Sequence, residues 1–186
     1  TNNATLVAGK TNVQSGGSFY AKISPNTIWQ NDNLTISGNY ITDNSILIMN
    51  GIGSITVSSG GVMNLSSNVT LVAGKTNIQN GGSFYAKNSP NTIWQNDNLT
   101  ISGTYILDNS TLRMNGTNVN GSVSINVTST GKFMMNNNSL VTNGNNIGYR
   151  YAFIANTGSY LSTINSTVEY SGWNSNPGQR GLEISG

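Results

Sequence analysis

Six side chains in this chain could act as acids or bases on a substrate: Asp32, Asp43, Asp97, Asp108, Glu169 and Glu183. There is no His and no Cys, so imidazole bases, thiol nucleophiles and the usual transition-metal ligand sets are not available to the sequence. The chemistry open to paired carboxylates is glycoside hydrolysis, which needs them at one of two characteristic separations. Four of the six, however, are two residues and their copies, because residues 5–51 return almost letter for letter as residues 70–116. Stacked as coils of one rod, Asp32 and Asp97 would stand about 14 Å apart, too far for a retaining or an inverting pair. Asp32 and Asp43 could lie closer, depending on the cross-section, but no Lys or Arg cluster accompanies them to hold an anionic sugar. No carboxylates stand in tandem as a calcium site would want. The sequence therefore predicts no enzyme, no cofactor and no metal site.

The elements behind these residues emerge when the glycines are aligned. Gly17, Gly38, Gly61, Gly82, Gly103, Gly131, Gly158 and Gly186 recur at spacings of 21, 23, 21, 21, 28, 27 and 28. Four residues before each stands an aliphatic one: Val13, Leu34, Val57, Ile78, Leu99, Val127, Ile154 and Leu182. Two residues after stands a large apolar one: Phe19, Tyr40, Met63, Phe84, Tyr105, Phe133 and Tyr160. The 65-residue copy is thus three units of about 21, and the array runs through the chain.

Short alternating runs such as Ser-Ile-Thr-Val-Ser58 and Val-Ser-Ile-Asn-Val127, cut by Gly and Asn, are strands rather than helices. A period near 21 fits one coil of a parallel β-solenoid, whereas the Leu-x-x-Leu-x-Leu frame of a leucine-rich repeat is absent. The expected fold is all-β: a parallel β-helix of about seven coils, roughly 21 to 28 residues each, forming one domain over 1–186. The coils within 117–186 carry longer loops, at Gly116–Gly121, Asn143–Gly148 and Asn174–Gln179, and the last of these lies beside Trp173 and Arg180. Loops on a rigid scaffold are where binding concentrates, so this C-terminal loop edge is a candidate binding region.

In that geometry the Phe19, Tyr40, Met63, Phe84, Tyr105, Phe133 column becomes an inward aromatic stack. Asn12, Asn33, Asn77, Asn98 and Asn126, interrupted by Thr56, would form an Asn ladder along the axis. Ser24, Ser45, Asn68, Ser89, Ser110, Asn138 and Asn165 would line a second polar corner. The residues after the aliphatic column, Gln14, Thr35, Ser58, Gln79, Thr100, Thr128 and Ala155, are too mixed for the flat Thr-x-Thr face of an ice-binding solenoid.

Tyr20, Trp29, Tyr85 and Trp94 recur at identical places in the duplicated coils. With Trp173 they are the candidates for stacking on sugar rings, since Trp and Tyr offer an apolar face with a polar edge. Eleven Asn-x-Ser/Thr sequons occur, against about eight expected by chance from the composition. The candidate glycosylation sites are Asn3, Asn64, Asn109, Asn115 and Asn120, with Asn115 and Asn120 favoured by an inferred loop. Asn33, Asn98 and Asn126 are poorer acceptors, because the ladder would occupy their amides.

Charged residues are 8% and the net charge is +2, with no basic stripe for nucleic acid. No apolar run approaches a transmembrane span, and the absence of Cys leaves stability to coil stacking. Low charge with abundant Asn, Ser, Thr and Gly is more typical of exported surface proteins than of cytosolic enzymes. The first residue is Thr, consistent with a processed or excised segment.

Ser54-Ile-Thr-Val-Ser-Ser-Gly-Gly-Val-Met-Asn-Leu65 and the run Phe153–Tyr170 resemble the right-handed parallel β-helix repeats of microbial, especially archaeal, cell-surface proteins. The resemblance covers nearly the whole chain and implies surface-layer, sheath, filament or adhesin roles, often with attached sugar. It implies no catalytic role, because the acidic calcium cluster and catalytic Arg of the pectate-lyase-like branch are not matched here.

Leu182-Glu-Ile-Ser-Gly186 matches Leu34–Gly38 and Leu99–Gly103, and Asn3–Lys10 matches Asn68–Lys75, so the chain starts and stops within a coil. Either this is a piece of a longer protein, or the two open ends meet between subunits, since open β edges template further pairing. The expected function is therefore an extracellular structural subunit of a filament, sheath or surface layer, whose partners are copies of itself joined end to end. The alternative is a carbohydrate-binding adhesin module that contacts surface glycans.

Overall fold

A computed structural model describes residues 4–22, 26–50, 53–87, 90–116, 123–143, 150–169 and 171, and the backbone of 182–184. Among the described residues, three parallel sheets of eight, eight and seven strands form a β-solenoid. The first coil shows the plan: Thr5–Ala8 lies in sheet 1, Thr11–Val13 in sheet 2 and Ser18–Ala21 in sheet 3. The next coil repeats it with Asn26–Gln30, Leu34–Ile36 and Asn39–Thr42. Successive rungs are about 4.8 Å apart.

The core follows from the alternation. In Thr70–Ala73, Ser83–Ala86 and Thr92–Gln95 every second side chain is buried and its neighbours face outward. Sheet 1 contributes Ile28, Leu47, Leu71, Ile93, Leu112 and Val141 to the interior. In sheet 3 Phe19, Tyr40, Met63, Phe84, Tyr105 and Phe133 stand in strict register, so the expected inward stack forms. Phe84 and Tyr105 stack with ring centroids 4.4 Å apart, and Phe19 and Tyr40 at 4.6 Å. The stack ends one residue away from where the spacing placed it: Phe133 pairs with Leu161, while Tyr160 faces outward beside Lys132.

The reason is a shift in the glycine column. At the corner between sheets 2 and 3, Gly16, Gly60, Gly81 and Gly158 take positive φ. Gly158 therefore belongs with these turn glycines, one residue ahead of the Gly17, Gly61, Gly82 series. This corner also has two lengths. Val13, Val57, Ile78 and Val127 reach the aromatic column in six residues, whereas Ile36 and Ile101 reach it in four, through Ser-Gly.

The short corners explain why two further columns mix. Val13, Ile36, Val57, Ile78, Ile101, Val127 and Ala155 form one inward row of sheet 2. Leu34, Leu99 and Leu182 belong to the other row, with Thr11, Ile55, Thr76, Ile125 and Phe153, and Ile154 points outward. The proposed Asn ladder is correspondingly broken. The outward row reads Asn12, Thr35, Thr56, Asn77, Thr100, Asn126 and Ile154.

Asn33 and Asn98 stand instead at the corner between sheets 1 and 2, each stapling its rung to the next. The Asn98 carbonyl accepts the Ser124 amide at 2.9 Å and the Ser124 hydroxyl at 3.0 Å, and Asn33 does the same with Ser54. Asn98→Ala leaves the Ser124 amide without that acceptor and is expected to cost about 1–2 kcal/mol in chemical denaturation.

The corner between sheets 3 and 1 carries two rows that the sequence merged into one. Asn44, Asn68, Asn109, Asn138 and Asn165 adopt left-handed φ between 44 and 61, a conformation that Asn tolerates better than other side chains. Ser45, Asn91, Ser110 and Ser139 occupy the adjacent buried row. There the Asn91 carbonyl accepts the Val69 amide at 2.8 Å, and the Ser110 hydroxyl donates to Ala86 and Asp108 carbonyls. Ser24 and Ser89 lie outside the described residues.

Burial raises the phenol pKa values of Tyr40, Tyr105 and Tyr151 above the ordinary range, with the Glu169 charge adding at Tyr151. Their unfolded counterparts ionise near pH 10. Above that pH the folded chain holds more protons than the unfolded one, so stability falls as pH rises. Each such tyrosine contributes a slope of about 1.4 kcal/mol per pH unit above pH 10, and denaturant midpoints should drop there after a plateau below it.

Candidate functional site

Among the described residues the carboxylates do not converge; Glu169 accepts the Thr142 hydroxyl at 3.3 Å, and the side chain of Glu183 lies outside the described residues. Asp32 and Asp97 sit at one corner of sheet 1, three rungs apart, while Asp43 leads into the opposite edge of that sheet. Asp32 and Asp97 each accept the backbone amide of the following Asn, and Asp108 accepts the Asn137 amide group at 2.6 Å. The first two are local turn bonds, and the third joins neighbouring rungs. Among the described residues no group of three His, Cys, Asp or Glu could hold a metal ion.

The aromatic candidates divide between two faces. Tyr20 and Tyr85 lie on the outer face of sheet 3, in the row Tyr20, Ile41, Asn64, Tyr85, Ile106 and Met134. Lys22 and Lys87 ammonium groups cover their rings at 4.7 and 4.2 Å. Trp29 and Trp94 lie on the outer face of sheet 1, in the row Val7, Trp29, Ile48, Val72, Trp94, Arg113 and Thr142. A single Trp/Tyr strip is therefore not formed, because residues one strand apart in the coil face different directions. Trp173, like the loop at 174–179 and Arg180, lies outside the described residues.

Sheet 1 supplies polar groups on both sides of its tryptophan row. On one side run Thr5, Thr27, Ile46, Thr70, Thr92 and Thr111. On the other run asparagines, paired across rungs: Asn50 donates to Asn31 at 3.2 Å and Asn115 to Asn96 at 2.8 Å. These are side-chain amide pairs along the axis, at the same corner as Asn33 and Asn98 but made by residues outside the expected ladder. The sequence held a signal for them, since Trp29-x-Asn31, Ile48-x-Asn50, Trp94-x-Asn96 and Arg113-x-Asn115 keep the period of two that puts residues on one face.

A cleft of about 240 Å3 opens on this face between Val72, Trp94, Asn96 and Asn115. The Arg113 guanidinium stacks on the Trp94 ring at 5.2 Å. In the duplicate, Ile48 takes the place of Arg113 in register. The arrangement offers an apolar ring face beside amide donors and acceptors.

The sequons separate by environment. Asn109 is exposed at a left-handed turn, and Asn64 is half-buried on sheet 3 with its carbonyl oxygen buried and unpartnered. Asn115 directly follows the strand Thr111–Met114 and is held by Asn96, rather than projecting from a loop. Asn126 accepts the Asn156 amide group at 2.7 Å. Asn3 and Asn120 lie outside the described residues. Among the described residues no helix is long and apolar enough to cross a membrane. No family model matches the chain, and none of the curated proteins or solved structures matches it either.

Proposed function

We propose that this chain is a non-enzymatic structural protein of the cell exterior, a β-solenoid subunit that self-associates into a filament, sheath or surface layer. The observation that carries the reading is the unbroken parallel ladder, in which register persists from Thr5–Ala8 to Leu182–Ile184 while Asp32 and Asp97 are engaged in separate turns. A parallel ladder of this kind can be extended by a further strand, and a contact between unlike ends of two copies repeats into a fibre. Sugar attached at exposed sequons such as Asn109 belongs to the same reading. Electron microscopy of native material should show filaments or a lattice; a monodisperse monomer at high concentration with native ends would rule the proposal out.

The tryptophan face of sheet 1 favours a second reading, a carbohydrate-binding adhesin module. Its support is the pairing of Trp29 and Trp94 with adjacent amide pairs, a combination that sheet 3 lacks. Glycan-array binding that survives replacement of both tryptophans by Ala would remove that support.

A further inference from the structure

The second reading leaves the site and its ligand unspecified, and sheet 1 allows both to be narrowed. We infer that the cleft formed by Val72, Trp94, Asn96 and Asn115 is a subsite for one pyranose ring, with Arg113 as its positioning residue. This rests on the carbohydrate-binding reading and does not depend on the self-association proposal.

Three features of the cleft select a sugar over other ligands. Its volume, about 240 Å3, falls below the roughly 300–1,000 Å3 that encloses drug-sized ligands, so it takes a single ring and leaves the rest of a chain on the open face. One wall is an indole, whose apolar face matches the C–H face of a pyranose. The neighbouring wall is an amide pair already oriented by its own 2.8 Å hydrogen bond, which leaves further donor and acceptor capacity for ring hydroxyls.

Arg113 makes this subsite differ from its duplicate. The guanidinium, stacked at 5.2 Å, holds the Trp94 indole in place before a ligand arrives, and preorganisation of this kind lowers the ordering cost of binding. At the duplicate, Trp29, Asn31 and Asn50 are present, but Ile48 replaces Arg113 and Val7 is 64% exposed. The Trp94 subsite is accordingly the tighter of the two. Three rungs, about 14 Å, separate the two indoles along the axis, so an extended glycan chain lying parallel to the rod can reach both.

The test is a two-dimensional NMR titration of the whole chain with methyl β-D-glucopyranoside, methyl β-D-galactopyranoside and glucuronate. It follows the indole N–H signals of Trp29, Trp94 and Trp173, each assigned by single substitution to Phe. At least one sugar should shift the Trp94 indole and the Asn96 and Asn115 side-chain amides together, saturating on the order of millimolar concentration. Trp94→Ala should abolish the amide shifts. Arg113→Met should weaken binding about threefold or more, toward the Trp29 level, while the far-ultraviolet spectrum stays unchanged. If a substituted chain fails to fold, the shift map of the unsubstituted protein still decides. Shifts at Trp29 or Trp173 without Trp94 would overturn the subsite and leave the carbohydrate reading standing. No shift at any indole with any of the three sugars would overturn both.

Discussion

Gly103→Ala should unfold several coils around the substituted corner while Gly9→Ala leaves the protein unchanged. A Cβ at residue 103 would meet the carbonyl oxygens of Gln79 and Gly82 far inside contact distance, and the Gly82 carbonyl carbon at 3.1 Å. Neither oxygen can retreat cheaply, because the Gly82 carbonyl accepts the Thr104 amide at 2.9 Å and the Gln79 carbonyl accepts the Gly82 amide at 2.8 Å. Overpacking commonly costs 1–3 kcal/mol, and a clash against fixed backbone belongs at about 3 kcal/mol or more. At Gly9 nothing lies within 4 Å of the same added atom, which makes it the control. A solenoid is stabilised by nearest-neighbour interfaces, so the damage should be local. Hydrogen exchange should accelerate in the rungs holding Gly82, Gly103 and Gly131 before the rest, and uniform protection in Gly103→Ala would contradict the close approach described.

The second large effect is Phe133→Ala. Phe133 is fully buried and contacts two other rings, Tyr105 at 5.5 Å and Phe153 edge-on at 5.4 Å. Truncation removes the ring's transfer free energy and leaves a cavity between rungs, together about 3–5 kcal/mol. For a chain of this size that corresponds to a fall of roughly 10 °C in Tm, at about 2–4 °C per kcal/mol. Tyr85→Ala, on the outer face of the same sheet, loses mainly its contact with Lys87 and should cost under about 1 kcal/mol. Similar losses from the two substitutions would mean that sheet 3 does not sort its side chains as the register requires.

These two results bear on how the array was legible. The aromatic column could be read from Phe19 to Phe133 because each member follows its corner glycine by a fixed two residues, and inward side chains must repeat once per rung. The column failed at Tyr160 because Gly158 is a turn glycine with φ of 85, and glycine serves both the positive-φ turn and the close approach. A letter shared by two physical jobs cannot show which job it does. The aliphatic and Asn columns failed at Leu34, Leu99, Asn33 and Asn98 for a related reason. Counting back from a corner assumes a constant corner length, and the Ser-Gly corners are two residues shorter than corners such as Gln14-Ser-Gly-Gly17 and Gln79-Asn-Gly-Gly82.

The candidate site was half visible. Trp29 and Trp94 stand out by type and by duplication, but Tyr20 and Tyr85 were grouped with them although they belong to another sheet. Arg113 carried no signal by type, since the copy has Ile48 at the equivalent position, and only register shows that its side chain stands beside Trp94. The amide pairs Asn31–Asn50 and Asn96–Asn115 were spelled in period-two spacing yet were outweighed by the more numerous asparagines at the corners.

The sequence by itself determined the class of this molecule. Alternation of period two within strands and a period near 21 between them leave parallel stacking as the way to bury every second side chain, and the lack of His and Cys narrows the available chemistry. Only the tertiary structure decided which residues share a face. Each corner turns the chain by its own geometry, so two residues at equal distances from a motif can point into the core, into solvent or onto different sheets, and hydrogen-bonded register between rungs is what fixes the outcome.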